Sequence, residues 1–458
     1  MSSSGDHAVG QHVAIVGGGM LGMTLAWRLR QRGVAVTIVE RATHVGGLAS
    51  ADTIGDVTWD RFYHVILASD TRLRGLLEEL GLADRLIFGT TKTGLRIDGT
   101  LRSLSSAAEY ATFPGLSLID KARLAWTLVY GGRVRDVAAL ESIPVVEWLQ
   151  KHSGRRVTER LWLPLLRSKL GNATDSASAV FIQSSIARLS AARRAGMQRE
   201  QFGFVDGGYS TVLSRFRDRL VAAGVTICED AVVTSVRQGV GEATIDVAHR
   251  APLEADLVVL TVPCSRIATM CAQLMPAERD RLASVRYQGI VCASALLTHP
   301  LSPYYISNLT DGGPWPFTGV IEMTALVDRA RFGGRSLIYL PRYAAPDDDV
   351  WSMDDATVET AMRDGLARLH PSFKQESVVA FRVHRVREVF AIPTVHYTRD
   401  RCPAVRTSLD RVTIVNSAQI TDGTLNVNET VALADRQVPA LLRQLRRVPA
   451  RALSGAPC

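Results

Sequence analysis

A short glycine-rich segment between two apolar runs constrains the fold more than any other feature of residues 12–40. The run HVAIV precedes GGGMLG, in which Gly17, Gly19 and Gly22 give the spacing G-x-G-x-x-G. The next segment, MTLAWRLRQRG, has the apolar spacing of a helix, and a second apolar run, VAVTIVE, ends in Glu40. A strand, a glycine-rich turn, a helix and a second strand in this order predict a βαβ unit with a parallel sheet.

Each glycine of this segment has a separate physical role. Gly17 permits a tight turn from strand to helix, Gly19 lets the backbone approach a pyrophosphate, and Gly22 allows close packing of helix on strand. The free N–H groups and the positive dipole end of the helix attract phosphate. Glu40 can accept hydrogen bonds from a ribose hydroxyl. The sequence therefore predicts a dinucleotide site.

The residues after Glu40 indicate which dinucleotide binds. Gly46 and Gly47 follow in the segment RATHVGGLAS. This pattern resembles the extended FAD fingerprint of the FAD-dependent amine oxidase and protoporphyrinogen oxidase superfamily, in which a GG loop runs beneath the flavin. The resemblance implies FAD as the cofactor, with further contacts from Arg41 and Leu48.

Two later segments extend the resemblance. The segment FGFVDGGYSTVL resembles a GGY entry that leads into a helix and then a strand, where Val232 or Val233 would meet the adenine end of FAD. The segment RVTIVNSAQITDGTLNVNET resembles the last strand, loop and helix over the flavin. It implies cofactor contacts from Asn416, Ser417, Asn426 and Val427. Many relatives carry Gly-Asp where this chain has Asn-Ser, a departure from mainstream amine oxidases.

The resemblance implies an α/β fold with two parts. A Rossmann-like FAD-binding domain, built on a parallel sheet, would be assembled from three chain segments, and an inserted α+β substrate domain would complete the molecule. The three FAD-binding segments are expected at 8–68, 202–264 and 395–448. A helical insertion is expected at 69–201 and a strand-rich insertion at 265–394.

Three residues are candidates for catalysis. Tyr63 and His64 lie in VTWDRFYHVI, shortly after the GG loop, where relatives bring substrate toward the flavin. A histidine at a domain seam can instead have a structural role. Glu322 is a charge within an apolar run, which indicates either a cavity or an exposed position on an edge strand.

Five residues are candidates for substrate binding. Arg160 and Arg167 are seven residues apart and share one helix face if Pro164 does not break the helix, so they could hold an anionic group. A solvated basic surface is the alternative. Tyr287, Tyr339 and Tyr343 lie in strand-like runs and could shape a cavity.

Composition and charge exclude several classes of protein. The chain has 458 residues, 47% of them hydrophobic and 21% charged, which indicates a globular protein with a large core. Its net charge of +8 is not accompanied by zinc-finger or RNP motifs, so no nucleic-acid partner is expected. The six cysteines form no CxxC pair, which predicts reduced thiols and no metal site.

Two further segments of the sequence bear on where in the cell the protein lies. The segment MSSSGDHAVG lacks the apolar region of a secretory signal, so a cytoplasmic location is expected. Residues 113–135 have apolar side chains at helical spacing with flanking bases. This pattern predicts an amphipathic helix that packs on the protein, and it is also compatible with peripheral contact with a membrane.

Together these features predict an FAD-dependent oxidoreductase. The flavin would take a hydride from an activated C–H bond of a small-molecule substrate and pass electrons to oxygen or a quinone. One alternative is a flavoenzyme similar to UDP-galactopyranose mutase that acts on a nucleotide- or lipid-linked sugar. A non-catalytic flavin-binding protein is a further alternative.

Overall fold

The computed structural model describes residues 10–103, 107–194 and 201–448. The strands are β1 (His12–Val16), β2 (Ala35–Val39), β3 (Ala51–Ile54), β4 (Val57–Asp60), β5 (Leu86–Thr90), β6 (Thr93–Ile97), β7 (Thr100–Ser103), β8 (Gln201–Val205), β9 (Thr226–Cys228), β10 (Val233–Gln238), β11 (Ala243–Val247), β12 (Leu253–Ala255), β13 (Leu257–Leu260), β14 (Tyr287–Leu297), β15 (Ile306–Leu309), β16 (Gly319–Glu322), β17 (Ser336–Ala344), β18 (Val378–Ala391) and β19 (Val412–Ile414).

The helices connect and cover these strands. They are α1 (Met20–Arg30), α2 (Thr71–Glu79), α3 (Ala107–Thr112), α4 (Leu118–Gly131), α5 (Val137–Leu140), α6 (Val145–Ser153), α7 (Arg155–Val157), α8 (Leu163–Leu170), α9 (Val180–Arg194), α10 (Gly208–Ala222), α11 (Cys264–Met270), α12 (Pro276–Ala283), α13 (Asp355–Leu369), α14 (Tyr397–Asp400) and α15 (Val427–Leu445).

A five-stranded parallel sheet carries the glycine-rich segment. Its strand order is β19-β13-β1-β2-β9, and each neighbouring pair is parallel. The strands come from widely separated parts of the chain. Val13 and Ile15 pack against α1, α10 and α15, whereas Ala14 and Val16 pack toward α11 and the antiparallel sheet β10-β11-β12. The fold is therefore mixed α/β with a parallel sheet, as predicted.

A seven-stranded mixed sheet forms the second large layer. Its order is β18-β14-β17-β16-β15-β6-β7. One face packs on α13, and the opposite face packs on the hairpin β3-β4 and the segment that follows it. Because side chains alternate along a strand, neighbouring residues such as Ile338 and Tyr339 project to opposite faces. This alternation decides which strand residues face the segment after β4.

The stretch expected to be helical also contributes strands. β6 pairs in parallel with β15, and β7 continues that edge of the seven-stranded sheet. The helices of this stretch bury a separate core around Trp148, Leu149 and Trp162. A π-helical turn over Thr158–Trp162 joins α7 to α8. No helix within the described residues is long and apolar enough to cross a bilayer.

Five of the six cysteines lie in the described part of the chain. Cys264, Cys271 and Cys292 are free and buried. Burial raises the pKa of the Cys271 thiol to about 12, which keeps it protonated and unreactive.

His370 makes the stability of the fold dependent on pH. Burial lowers the pKa of His370 to about 4, whereas an unfolded histidine titrates near 6.5. Protons therefore bind the unfolded chain preferentially between these values, and the free energy of unfolding falls as pH decreases from 6.5 toward 4. His370→Leu should therefore reduce the fall in the free energy of unfolding between pH 7 and pH 5 by about 2 kcal/mol.

Urea unfolding at the two pH values measures this difference. His299→Leu is the matched control, because it makes the same substitution at an exposed position. If the wild type and His370→Leu lose the same free energy of unfolding between pH 7 and pH 5, His370 is not the source of this pH dependence.

Candidate active site

The turn between β1 and α1 leaves no space for side chains at two of its glycines. A Cβ at Gly22 would lie 2.0 Å from the carbonyl oxygen of Gly17, and a Cβ at Gly17 would lie 2.4 Å from Thr261 Oγ1. Gly17 also has φ = 110°, in the region that favours glycine. These contacts bring β1, α1 and the loop after β13 together at one point.

Gly19 differs from its neighbours because it faces open space. A Cβ there would approach only the Cα of Gly47, at 3.9 Å. Gly19 is the N-cap of α1, and no described side chain caps this helix. Gly46 lies beside it and donates its N–H to the carbonyl of Gly18 at 2.8 Å. An uncapped helix start beside an open glycine surface fits the pyrophosphate of FAD.

Glu40 is held at the end of β2 by two backbone bonds. Its Oε2 accepts from Gly18 N–H at 2.7 Å, and its Oε1 accepts from Ala42 N–H at 2.8 Å. Each carboxylate oxygen keeps a second lone pair for a ribose hydroxyl. A Cβ at Gly18 would lie 2.8 Å from Val45 Cγ1 and 3.0 Å from Glu40 Cβ, so this third glycine is also required.

The segment before β10 lies beside the Glu40 loop. Ala231 N–H donates to the Glu40 carbonyl at 2.8 Å, which places the neighbouring Val232 and Val233 close to this loop. Val232 is exposed and Val233 is half-buried. Arg41 is also exposed, and Leu48 is half-buried. These four positions are compatible with contacts to a nucleotide, although the contacts themselves stay predictions.

The C-terminal candidates are largely engaged by the protein itself. Asn416 is buried, donates to the Val262 carbonyl at 3.0 Å and accepts from Ala418 N–H at 3.2 Å. It therefore ties the end of β19 to the loop after β13. Ser417 is half-buried, and its hydroxyl has no hydrogen bond to a described residue. Ser417 is thus the better-placed of the two for a ligand.

The start of α15 is capped by its own loop. Asn426 Oδ1 accepts from Glu429 N–H at 3.0 Å, and Asn426 Nδ2 donates to the Thr424 carbonyl at 2.7 Å. Val427 is the first helical residue and is half-buried. The Asn428 side chain accepts from Arg72 N–H and so caps α2. Backbone N–H groups, more than the Asn426 side chain, are what this helix start offers a ligand.

Aromatic side chains from four parts of the chain form a continuous surface that we call the aromatic wall. Phe181 of α9 stacks on Phe390 of β18, with ring centres 6.3 Å apart, and Phe390 contacts Tyr343 of β17 edge-on at 6.2 Å. The Tyr343 hydroxyl is hydrogen-bonded to the Tyr63 hydroxyl, and the Tyr63 ring lies 6.2 Å from that of Tyr339. Except for the fully buried Tyr339, these side chains are half-buried and partly accessible.

The wall carries one shared hydrogen bond between two phenols. The hydroxyl oxygens of Tyr63 and Tyr343 lie 2.8 Å apart. Burial raises the pKa of Tyr63 well above its usual value, so this phenol stays neutral. The pair contains two O–H hydrogens and one hydrogen bond. One hydrogen is therefore left without a partner among the described residues and is available to an acceptor on a ligand.

A buried carboxylate faces His64. Asp60 Oδ1 accepts from Tyr209 N–H at 2.6 Å, whereas Asp60 Oδ2 lies 3.8 Å from His64 Nδ1. That nitrogen is buried and has no hydrogen bond to a described residue. The imidazole ring also packs on Tyr209, with ring centres 4.9 Å apart. A carboxylate opposite Nδ1 favours the tautomer with its hydrogen there, which leaves Nε2 as an acceptor.

Glu322 does not join Tyr63 and His64. It pairs with Ile338 in the sheet, and therefore projects to the face opposite Tyr339. Its carboxylate accepts from Leu301 N–H at 3.0 Å and Thr324 Oγ1 at 2.6 Å. Burial raises the pKa of Glu322. The structure thus gives this acid a role in fixing the loop before β15, on the α13 side of the sheet.

Two of the five substrate candidates, Tyr339 and Tyr343, belong to the aromatic wall. Tyr287 is buried, and its hydroxyl accepts from Cys264 N–H at 3.1 Å. Tyr339 donates its hydroxyl to the Asp60 carbonyl at 2.6 Å and so supports the segment after β4. Arg160 and Arg167 are exposed, and Arg160 donates to the Gly115 carbonyl at 3.2 Å. Among these candidates Tyr343 is the one that is both part of the wall and partly accessible.

Sequence reasoning missed several residues of the site. Asp60 stands four residues before His64, but nothing in the spacing indicates that its carboxylate faces the imidazole. Phe181 and Phe390 reach the wall from elements far apart in the chain. Gly18 could have been found, because it stands within the glycine-rich segment.

Comparison with known proteins matches the chain to a family model and to several relatives. A family model described as flavin containing amine oxidoreductase matches residues 21–423. Coproporphyrinogen III oxidase of Mycobacterium tuberculosis (strain ATCC 25618 / H37Rv) is 24% identical over 392 residues, which cover 74% of this chain and 80% of the relative.

Solved structures share the fold over nearly the whole chain. A putative protoporphyrinogen oxidase from Exiguobacterium sp. 255-15 superposes with a TM-score of 0.74 at 17% identity, covering 95% of this chain and 99% of that one. A reduced UDP-galactopyranose mutase superposes with a TM-score of 0.72 at 14% identity, covering 94% and 96%. At these identities the likeness shows the fold alone.

Substitutions at two glycines separate binding from folding. Gly19→Ala should leave the stability of the apoprotein unchanged, because Gly19 has φ = −70° and space for a methyl group. That methyl would occupy the phosphate side of the turn, so FAD affinity should fall at least about tenfold. Gly22→Ala should destabilise the apoprotein itself by more than about 2 kcal/mol, because its Cβ collides with backbone.

Fluorescence titration of the apoprotein with FAD and thermal unfolding without it measure the two effects. Gly75→Ala is the control, since a Cβ there meets no atom within 4 Å. Unchanged FAD affinity in Gly19→Ala would exclude the helix start as the phosphate site.

Proposed function

Because the chain belongs to the family of flavin-containing amine oxidoreductases, we propose that it oxidises a largely uncharged small molecule with unsaturated rings, bound against the aromatic wall. FAD is the cofactor, and its chemistry when bound is the acceptance of a hydride from an activated C–H bond. Oxygen or a quinone is the proposed electron acceptor.

The glycine-rich turn and its neighbours are the proposed cofactor site. The start of α1 and Gly19 would hold the pyrophosphate, Glu40 would hold the ribose, and Gly46 and Gly47 would lie beneath the flavin. We assign the segments 8–68, 202–264 and 395–448 to the FAD-binding domain. The two insertions would together form the substrate domain. The fit of this assignment rests on the open surface at Gly19 and the free lone pairs of Glu40.

One observation carries the proposed substrate class: the accessible side chains of the wall are aromatic and neutral. Phe181, Phe390, Tyr343 and Tyr63 offer flat apolar surface and a single free phenolic hydrogen. A different substrate class for an amine oxidoreductase is an aliphatic diamine, which carries two positive charges. Such a substrate would need carboxylates in the site to offset its desolvation, but the candidate carboxylate Glu322 projects to the other face of the sheet. A planar molecule with hydrogen-bond acceptors fits better.

The related coproporphyrinogen III oxidase gives the first candidate. Its name describes action on a porphyrinogen, a large reduced macrocycle. The product of such an oxidation is a flat aromatic macrocycle, and the neutral wall favours a macrocycle with few charged substituents, so we propose a weakly charged porphyrinogen-like substrate for this chain.

Two polar groups would complete the site. The free hydrogen of the Tyr63–Tyr343 pair would donate to an acceptor of the substrate and orient it. His64 would take up the proton that leaves a substrate N–H or O–H, at Nε2, with the Asp60 carboxylate 3.8 Å from Nδ1 on the other side of the ring. Phe181 and Phe390 would exclude water from the face where the substrate lies.

Anaerobic reduction of the bound flavin tests the proposed function. The purified FAD-loaded protein is mixed without oxygen with coproporphyrinogen III, protoporphyrinogen IX or NADPH, and the loss of oxidised-flavin absorbance is followed. Reduction by a porphyrinogen with formation of its porphyrin would support the proposal. Reduction by NADPH alone, followed by conversion of UDP-galactopyranose without net oxidation, would contradict it in favour of mutase activity.

Removal of one phenol tests how the substrate is oriented. Tyr343→Phe should raise KM about tenfold and leave FAD content unchanged, because a neutral hydrogen bond to substrate contributes about 1 kcal/mol or somewhat more. Tyr304→Phe is the control, because the Tyr304 hydroxyl has no hydrogen bond among the described residues. Steady-state kinetics with the substrate found above give the comparison, and an unchanged KM would remove the pair from the binding site.

A further inference from the structure

A groove on the α13 side of the seven-stranded sheet lies apart from the aromatic wall. It has a volume of about 780 Å³ and is open to solvent between the segment 314–316, strand β17 and helix α13. Arg342 of β17 lines this groove, whereas its neighbour Tyr343 belongs to the wall, because successive side chains of a strand project to opposite faces. The volume lies within the range of about 300–1,000 Å³ that is typical of small-molecule sites.

Close packing holds the sides of the groove in place. A Cβ at Gly365 of α13 would lie 2.7 Å from Pro316 Cγ and 2.8 Å from Phe317 Cε1, so the helix and the loop before β16 are in direct contact. Thr318 donates its N–H and its hydroxyl to the Pro341 carbonyl, at 2.7 and 2.9 Å. The loop is therefore fixed to both α13 and β17, and the groove is already formed without a ligand.

Trp315 gives the groove a flat apolar surface. Its indole N–H donates to Asp311 Oδ1 at 3.2 Å, which fixes the orientation of the ring. The guanidinium carbons of Arg96 and Arg368 lie 4.9 and 5.7 Å from the ring centre. Since the indole is half-buried, part of it stays accessible to another flat group.

Two guanidinium groups line the groove with unused N–H donors. Arg368 is exposed and donates from Nη2 to the Pro314 carbonyl at 3.2 Å, and no carboxylate in the described part of the chain forms an ion pair with it. Arg342 donates from Nη2 to Asp348 Oδ1 at 2.8 Å. A guanidinium carries five N–H donors, so both arginines keep donors for the oxygens of a phosphate or carboxylate.

Acidic groups restrict what the groove can bind. Asp364 lines the groove and is exposed, and its carboxylate accepts from Gln375 Nε2 at 3.5 Å. The acids Asp347–Asp349 follow β17, and one of them already pairs with Arg342. Because the surroundings have no excess of positive charge, a simple anion gains little from long-range attraction. A fitting ligand therefore combines an oxyanion for the arginines with an N–H donor for Asp364.

We propose that this groove binds a nucleotide whose base carries an amino group, such as adenosine monophosphate. The phosphate would accept from Arg342 and Arg368, the base would lie against Trp315, and the exocyclic amine would donate to Asp364. An aromatic carboxylate would satisfy the arginines and the indole, but it would leave Asp364 without a donor. The site is separate from those of the flavin and the substrate, so the inference does not depend on the proposed reaction.

Isothermal titration calorimetry of the FAD-loaded full chain tests the proposal with four probes. They are adenosine monophosphate, inosine monophosphate, which has a carbonyl in place of the amine, adenosine, which lacks the phosphate, and inorganic phosphate. Adenosine monophosphate should bind at least about tenfold more tightly than each of the others, because each lacks one of its contacts. Absence of binding at about 10 mM adenosine monophosphate would overturn the proposal. Release of FAD during the titration would also overturn it, because the probe would then occupy the cofactor site.

Two single variants separate the contacts. Arg368→Gln should weaken adenosine monophosphate at least about tenfold and leave adenosine unchanged, because only the former carries the oxyanion. Asp364→Asn should remove the preference for adenosine monophosphate over inosine monophosphate, because an amide accepts from an amine and donates to a carbonyl.

Arg279→Gln is the matched control, since it makes the same change at an exposed position of α12 and should bind all four probes as the wild type does. The three replaced residues are exposed, so the thermal midpoint and the flavin spectrum should not change. Equal affinity for adenosine monophosphate in Arg368→Gln and the wild type would overturn the proposal.

Tryptophan fluorescence locates the bound probe. Adenosine monophosphate should change the emission of the wild type to a saturating value, and Trp315→Phe should lose most of this change. A change of the same size in Trp315→Phe would place the probe away from the groove and overturn the proposal.

Discussion

Close packing at the β1–α1 turn is the contact on which the rest of the structure depends. The absence of side chains at Gly17 and Gly22 lets the turn carbonyl, the helix and the loop after β13 meet within van der Waals distance. The same packing directs the uncapped start of α1 toward the open surface at Gly19. The same steric requirement therefore fixes both the position of α1 at this edge of the sheet and the proposed phosphate site.

A second set of contacts connects this edge to the proposed substrate side. Asp60 links three elements, because it accepts from Tyr209 of α10, receives the Tyr339 hydroxyl at its carbonyl and faces His64. Tyr209 is the tyrosine of the GGY entry, and Tyr339 stands in the seven-stranded sheet. The parallel sheet and the aromatic wall are thus joined through one short segment. A buried carboxylate with few partners is costly, which is consistent with a role in orienting the imidazole.

The two faces of the seven-stranded sheet serve different purposes. Strand alternation sends Tyr339 and Tyr343 toward the segment after β4, and sends Glu322 toward the α13 side. A sequence reading cannot choose between these faces without knowing the pairing, because a shift of one residue reverses every side chain. For this reason Tyr343 and Glu322, which look equally suitable in the sequence, have different environments in the structure.

The sequence by itself determined the glycine-rich βαβ unit, the acid at the end of its second strand, the mixed α/β class and the family. These features are local, since a few consecutive residues with strict steric demands specify them. Only the tertiary structure decided that Phe181 and Phe390 join Tyr63 and Tyr343, that Asp60 faces His64, and that one face of α4 stays exposed. Such arrangements depend on pairing between distant segments and on what covers each surface, and neither is encoded in the spacing along the chain.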